Sequence, residues 1–546
     1  MTEHISTGVL VIGAGGAGLR AAIAACEGAP GLGVLLLSKG RLGESGVTAT
    51  ACSDRMAFHA TLPTTEPAGP EAWRHHADDI YRLGGYVSDA DLAEVLAREA
   101  RRAFTDLERL GVPFVRRADG TVDQFVTDGS LYARACYTGP YTANHIEQAL
   151  LRRARALPLR TLEHHLAAEI LLTADGGRAA GVLAVDEETG RAAVITARAI
   201  VLATGGAGQL YKQNVFPPEM TGDGYALAYR AGAALVNMEF IQIGLCSPAT
   251  RLACSGSMMR ALPRVVDETG AEVLPLYLPD DPARRHELLF AKGATWPLSA
   301  EAPSHAIDLA VYRHRAAGHR VFLDYSADPT GLEPQRLAPS VQQWFCEGKG
   351  LDTATLAAGP LARLRAINPP IVAWLRERGL DLEAGAPVEI VNAVQHFQGG
   401  IKIRTRGETT LPGLYAAGEA AGGQHGANRP GGNALLDGQV FGRLAGEAAA
   451  TEAQGLRTAP VPDAGQIARL EAGAADQGRA ATQVRQSLQG LMDRAASAIR
   501  CSTPLGEALR QVVECRREGV RVDERGMAYC LETRNLLTVA EMVLGA

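Results

Sequence analysis

Chemistry in this sequence is first suggested by glycine spacing. Gly13, Gly15 and Gly18, with Gly16 and Ala17 between, form a G-x-G-x-x-G turn directly after the apolar run Gly8-Val9-Leu10-Val11-Ile12. The physical reading is a phosphate cradle: Gly13 permits a tight turn, Gly15 lets backbone meet a pyrophosphate, and Gly18 lets the next helix lie on the strand. A Gly-rich turn can arise by chance in a chain with 61 glycines, so context decides. The context is complete, with a strand before, a helix over 19–26 after, and a second strand Gly33-Val34-Leu35-Leu36-Leu37 at βαβ spacing. That strand ends in Ser38-Lys39 where a nicotinamide dehydrogenase usually carries an acid for the ribose, which argues against ordinary NAD chemistry. A second turn, Thr204-Gly205-Gly206, closes a buried strand over 199–203 and offers another place for backbone to lie against the same dinucleotide.

The elements that must carry these turns follow from periodicity. A chain of 546 residues is too long for one hydrophobic core, so several domains are expected. Residues 1–234 read as the first part of a dinucleotide-binding domain, with helical patterns between Trp73 and Gly111, Ser88 as an N-cap, and hairpin arms around Asp175-Gly176-Gly177. Residues 235–358 are Pro-punctuated, include a strand Val321-Phe322-Leu323-Asp324, and read as an inserted domain. Apolar strand signals return over 359–445, as in Gly413-Leu414-Tyr415-Ala416-Ala417-Gly418-Glu419, and mark the second part of the first domain. Residues 446–546 are rich in Ala, Arg and Leu and read as a C-terminal helical domain. The expected class is α/β: a Rossmann-like domain with an α+β insertion and a helical tail.

The formal net charge is −6, so no global basic field draws nucleic acid or anionic membrane, and attraction for an acidic substrate must be local. Nine cysteines are scattered without C-x-x-C or ligand-like pairing, which argues against a bound metal and suits thiols in a reducing, cytoplasmic compartment. The sequence has neither a basic-then-apolar leader nor a run of about 18 apolar residues, so no signal and no membrane span are expected.

Taken in order, several stretches resemble the flavoprotein subunit family of succinate dehydrogenase, fumarate reductase and L-aspartate oxidase, over nearly the whole chain. They are 13–25, Leu37-Ser38-Lys39, 203–208, Thr221-Gly222-Asp223-Gly224, Met238-Glu239-Phe240, His396-Phe397-Gln398-Gly399-Gly400-Ile401, 411–419, His425-Gly426-Ala427-Asn428-Arg429, 433–437 and 534–542. The resemblance implies FAD, held by Gly13, Gly15, Gly16, Ala17 and Gly18, by Ser38, Lys39 and Ser45, by Thr204 and Gly205, and by Asp223 and Glu419. It also places Asn433, Leu435 and Leu436 at a helix N-terminus, whose N–H groups and dipole favour reduced flavin. Residues 235–358 would cap the flavin and exclude water. The implied reaction moves a hydride between flavin N5 and a C–C bond of a carboxylated substrate, in the usual family case a dicarboxylate. In that alignment His396 and Arg429 hold the substrate and Arg260 moves a proton, with Arg264 as a competitor because the family's Arg-Gly-Glu-Gly-Gly is not kept here. An iron–sulfur electron-transfer subunit is the implied partner, and it offers a route to membrane association.

Three departures qualify what the resemblance implies. After Met238-Glu239-Phe240-Ile241-Gln242 the family's carboxylate-binding His-Pro-Thr-Gly is replaced by Ile243-Gly244-Leu245-Cys246, and loss of such a contact weakens dicarboxylate binding about tenfold or marks a different substrate. Glu44-Ser45-Gly46-Val47 stands where covalent-flavin members carry Arg-Ser-His-Thr, so FAD is expected to be non-covalent. The sequence stops at Leu544-Gly545-Ala546, where family members usually extend into a basic arm, so either the arm is trimmed or the surface it covers is used differently. Two further readings stay open: amine oxidation of the L-aspartate oxidase kind, against which Ala261-Leu262 offers no Glu for an amino group, and a flavin-bearing scaffold or electron-transfer subunit with a degenerate substrate site.

Overall fold

The computed structural model describes residues 3–53, 55–472 and 478–546. Strand β1 (Glu3–Ile12) is the axis of the first body, and it pairs in parallel with β2 (Val34–Leu37), Val9 opposite Val34 and Ile12 opposite Leu37. Helix α1 (Gly16–Gly28) makes the crossover between them and buries nearly all of its Ala-rich surface. Strand β3 (Leu159–Leu162) extends the sheet beyond β2. On the other side of β1 lies β6 (Ala192–Leu202), which is fed by the antiparallel hairpin β4 (His165–Leu172) and β5 (Ala179–Asp186). The order is β3-β2-β1-β6-β5-β4, and β7 (Leu414–Ala416) pairs in parallel with the last three residues of β6. The central strands are covered on both faces, which is why they read as unbroken apolar runs.

Three parallel strands end side by side. Ala203 N donates to Ile12 O at 2.8 Å and Ala417 N to Leu202 O at 3.0 Å, so the turns after β1, β6 and β7 emerge together at the carboxyl edge of the sheet. That edge is where open α/β sheets bind ligands. Helix α2 (Asn433–Gly455) lies along α1 so closely that a Cβ on Gly442 or Gly446 would meet the Ala17 or Ala21 carbonyl at 2.6 and 2.2 Å. It runs unbroken through residue 445, so no boundary falls there.

The inserted body has its own apolar cluster, built on an antiparallel sheet of Arg264–Asp267, Val321–Asp324 and Val388–Glu389. Leu364, Ile371, Trp374, Leu375 and Ile390 join that cluster, so the insertion extends past residue 358. Two strands, Ile241–Cys246 and Val391–Phe397, pair antiparallel where the chain enters and leaves this body. The C-terminal helices Ala481–Ala495, Ser502–Glu518 and α3 (Gly526–Gly545) send Val484, Leu488, Met492, Leu536 and Val539 into the core of the first body and share it. The helix at Ala90–Arg109 is capped by Asp89 and not by Ser88: the Asp89 carboxylate accepts from the N–H groups of Asp91 and Leu92, while the Ser88 hydroxyl is buried without a partner.

Candidate active site

A cavity of about 590 Å3 lies between the carboxyl edge of the sheet and the inserted body. One end is the first glycine turn. A Cβ on Gly13 (φ +102°) would stand 2.2 Å from the Ala203 carbonyl, and one on Gly18 would stand 1.8 Å from that of Gly13, so packing alone requires both glycines. Gly15 differs. Its φ of −74° suits any residue, and an added Cβ would meet only Thr48 Oγ1, at 3.6 Å. The protein therefore leaves clear the spot where a side chain would fill the cradle; beside it Thr48 Oγ1 accepts from Gly16 N at 3.1 Å, and the N-cap Gly15 has no side chain of its own. A dinucleotide phosphate fits that opening.

Ser38, Lys39, Ser45, Thr204, Gly205 and Asp223 line the same end. Lys39 Nζ donates to Asp223 at 2.7 Å, Thr221 at 2.6 Å and Glu532 at 2.8 Å, and Asp223 also accepts from Asn535 Nδ2 at 2.8 Å. Burial opposes charge here, yet the two carboxylates outweigh it and hold Lys39 above the ordinary ammonium range, with Asp223 held below the ordinary carboxylate range. Both oxygens of Asp223 are thus engaged by protein, and the residue braces the wall by docking α3 against it.

The opposite end begins at α2. Its N-cap, Gly432 (φ +107°), has no side chain to cap the first turn, and Ala434 and Leu435 line the cavity there. Asn433 and Leu436 do not. Leu436 is core, and Asn433 Oδ1 lies 2.9 Å from both His59 Nδ1 and His76 Nε2, a fully buried cluster that anchors the start of the helix. Glu419 Oε1 accepts from Phe397 N at 2.9 Å, and burial pushes its carboxyl up to about 8.

His396 sits on the strand leaving the inserted body, opposite Gln242 on the strand entering it. Gln398 Nε2 lies 3.2 Å from His396 Nδ1, a contact that suits the tautomer with its ring proton on Nε2. Burial, with Arg429 and His425 close by, keeps that imidazole neutral far below its usual pKa. Arg429 is 8 % exposed. Its Nη1 reaches only Pro430 O, at 3.4 Å, its buried Nε has no partner, and it forms no ion pair among the described residues. Burial pushes it down to about 10, so it stays a cation at neutral pH. A buried, unpaired charge costs several kcal/mol, and an arriving anion recovers it.

Arg260 also lines the cavity, its guanidinium carbon 4.7 Å from the centre of the Trp344 ring. Arg264 instead pairs with Asp324 inside the sheet of the insertion, Nε to Oδ2 at 3.1 Å. Of the two arginines, Arg260 is the one that reaches the cavity. Residues that the sequence did not single out are Gln242, whose Nε2 donates to Asn428 Oδ1 at 2.6 Å, and Trp296. A glycine inside a strand, Gly244, is the one sequence signal that points to the second, because such glycines mark close approach by another group.

Comparison with known proteins places the chain in a family. A family model described as FAD binding domain matches residues 8–435. The chain is 27% identical to the fumarate reductase flavoprotein subunit of Haemophilus influenzae, over 99% of this chain and 87% of that protein. It is also 30% identical to the L-aspartate oxidase of Streptomyces coelicolor, over 99% and 86%. Among solved structures, Mycobacterium smegmatis Sdh1 in complex with UQ1 superposes with a TM-score of 0.79 at 27% identity, covering 100% of this chain and 87% of that one.

Proposed function

The chain belongs to the FAD-binding family of the fumarate reductase and succinate dehydrogenase flavoproteins and L-aspartate oxidase, and we propose that it acts on a C–C bond beside a carboxylate. It is an FAD-dependent oxidoreductase of the fumarate reductase and succinate dehydrogenase type. The observation that carries the proposal is Arg429: a buried guanidinium that forms no ion pair among the described residues, lining the cavity with His396. Arg429 grips the substrate carboxylate at two points, and His396 donates from Nε2 to one of its oxygens. Arg260 exchanges a proton at the neighbouring carbon. Gly13–Ala17, Ser38, Ser45, Thr204, Gly205 and Leu435 hold the cofactor, with Lys39 and Asp223 stiffening the wall around it. When bound, FAD supplies the two-electron exchange with the C–C bond.

Amine oxidation is disfavoured because Ala261 and Leu262 are fully buried apolar residues and present no carboxylate for an ammonium group. Several relatives are named as subunits, and among the described residues no cluster of His, Cys, Asp or Glu has the makings of a metal site. We therefore assign electron delivery to a separate partner of the iron–sulfur type. No helix of the described residues is long and apolar enough to cross a membrane.

The test is anaerobic mixing of photoreduced enzyme with unsaturated acids and with their neutral amides. Acids are expected to restore the oxidised flavin spectrum and amides to leave it bleached. Equal reoxidation by an amide and its acid would remove the carboxylate clamp.

A further inference from the structure

Arg429 and His396 account for one carboxylate. Of the strand Ile241–Cys246, Gln242 lines the cavity, and the segment Ile243-Gly244-Leu245-Cys246 that follows offers no imidazole for a second one. Another residue occupies that place. A Cβ on Gly244 would stand 2.1 Å from Trp296 Cε2, so no side chain can project from position 244 while the indole is there. Trp296 Nε1 donates to Leu245 O at 3.0 Å, which commits its one polar group to backbone. What Trp296 presents to the cavity it lines is therefore ring carbon, next to Ala253, Ala294 and Pro297 on the same lining. Gln242 and Gly244 lie two residues apart on one strand, about 7 Å, roughly the span of a short acid from its carboxylate to its far end. Besides Arg429 and Lys39, four cations line the cavity: Arg55, Arg260 and Lys349 are engaged in contacts of their own within the protein, and Arg251, on the loop that follows, is solvent-exposed, where a charge pair contributes little.

We infer that the substrate is an unsaturated monocarboxylic acid whose far substituent is apolar or aromatic and rests on the Trp296 ring seated over Gly244. This deepens the carboxylate-clamp reading and rests on it. On reduction the C=C of the acid gains two electrons and two protons and becomes a single bond, while reduced FAD returns to FAD. The substituent on Trp296 is unchanged.

The experiment titrates oxidised holoenzyme with cinnamate, crotonate, fumarate and succinate, following flavin absorbance and tryptophan fluorescence. Cinnamate is expected to bind at least tenfold more tightly than fumarate. Trp296→Phe keeps that order, because the ring remains. Trp296→Ala reduces the difference to under threefold with FAD content unchanged. Fumarate binding as tightly as cinnamate in the parent enzyme overturns the inference while leaving the clamp in place. If none of the four acids perturbs the spectrum and none reoxidises photoreduced enzyme, the clamp reading fails first. Should Trp296→Ala prove insoluble, the parent ranking and Trp296→Phe decide.

Discussion

Arg429 concentrates the electrostatics of the site, because burial raises the cost of its charge more than Glu419, Asp437 and Asp128, near but not ion-paired with it among the described residues, offset it. Arg429→Lys keeps the charge but replaces a planar two-point grip with a point donor, so kcat/KM is expected to fall about a hundredfold or more. FAD content, read from absorbance, stays at the parent value. A Lys variant that turns over at the parent rate would refute the clamp. A second residue tests burial away from the cavity. Glu147 is fully buried, both its oxygens lack partners, and burial pushes its pKa up to about 8 from 4.5. A folded-state pKa raised above the unfolded one means that the stabilisation is complete below the unfolded value and is lost as pH rises through the folded one. Between pH 5 and pH 8 the parent should therefore lose on the order of 3 kcal/mol that Glu147→Gln does not lose. Parallel stability curves for the two proteins, from denaturant titrations across that range, would refute this. His396 and Arg429 were legible in the sequence as candidates because each stands in a local run of family-like residues, whereas Arg260 stayed open against Arg264 because the run around it is not kept. Trp296 and the cluster of His59, Asn433 and His76 were not, because each is a contact between residues far apart in the chain.

Among the elements, the strand–turn–helix of β1 and α1 separates two duties of glycine. The sequence reading gave the three positions separate duties, and the structure adds the contacts: a Cβ on Gly13 or Gly18 would collide with backbone of the protein itself, whereas one on Gly15 would meet only Thr48. Gly18→Ala is expected to cost about 3 kcal/mol or more, since its Cβ has no room beside the Gly13 carbonyl and helix and strand must move apart. Gly15→Val should fold with near-parent thermal stability, measured on FAD-free protein, yet take up no flavin. A yellow Gly15→Val protein at full occupancy, or an unfolded one, would contradict this division. Element boundaries were read less well than the elements themselves. Ser88 and Asp89 are both good N-caps by type, and only the geometry of the first turn shows that the carboxylate captures the free N–H groups.

For the whole molecule, the βαβ order and the returning strand at Leu414–Ala416 were legible because parallel buried strands leave continuous apolar runs. The far edge of the insertion was not, because Val388–Glu389 belongs to it only through pairing with Phe322 and Leu323, which has no local signature. The same large-scale arrangement sets how the cofactor is retained. The cavity is closed on one side by the sheet edge and on the other by the insertion, so FAD can be held by enclosure and by the two helix N-termini without a bond to protein. The segment that would supply such a bond, Glu44-Ser45-Gly46-Val47, carries no imidazole. Gly46 (φ +89°) faces open space, with nothing within 4 Å of an added Cβ. His59, the next histidine along the chain, is held instead by Asn433 and Thr127 at 2.9 and 2.6 Å. Acid precipitation opens the enclosure and should release the flavin intact into the supernatant, with a colourless, non-fluorescent pellet. Flavin fluorescence that stays with the pellet through acid and detergent would show a covalent attachment elsewhere on the cavity wall, with His165 and His396, the two histidines that line it, as the side chains to examine.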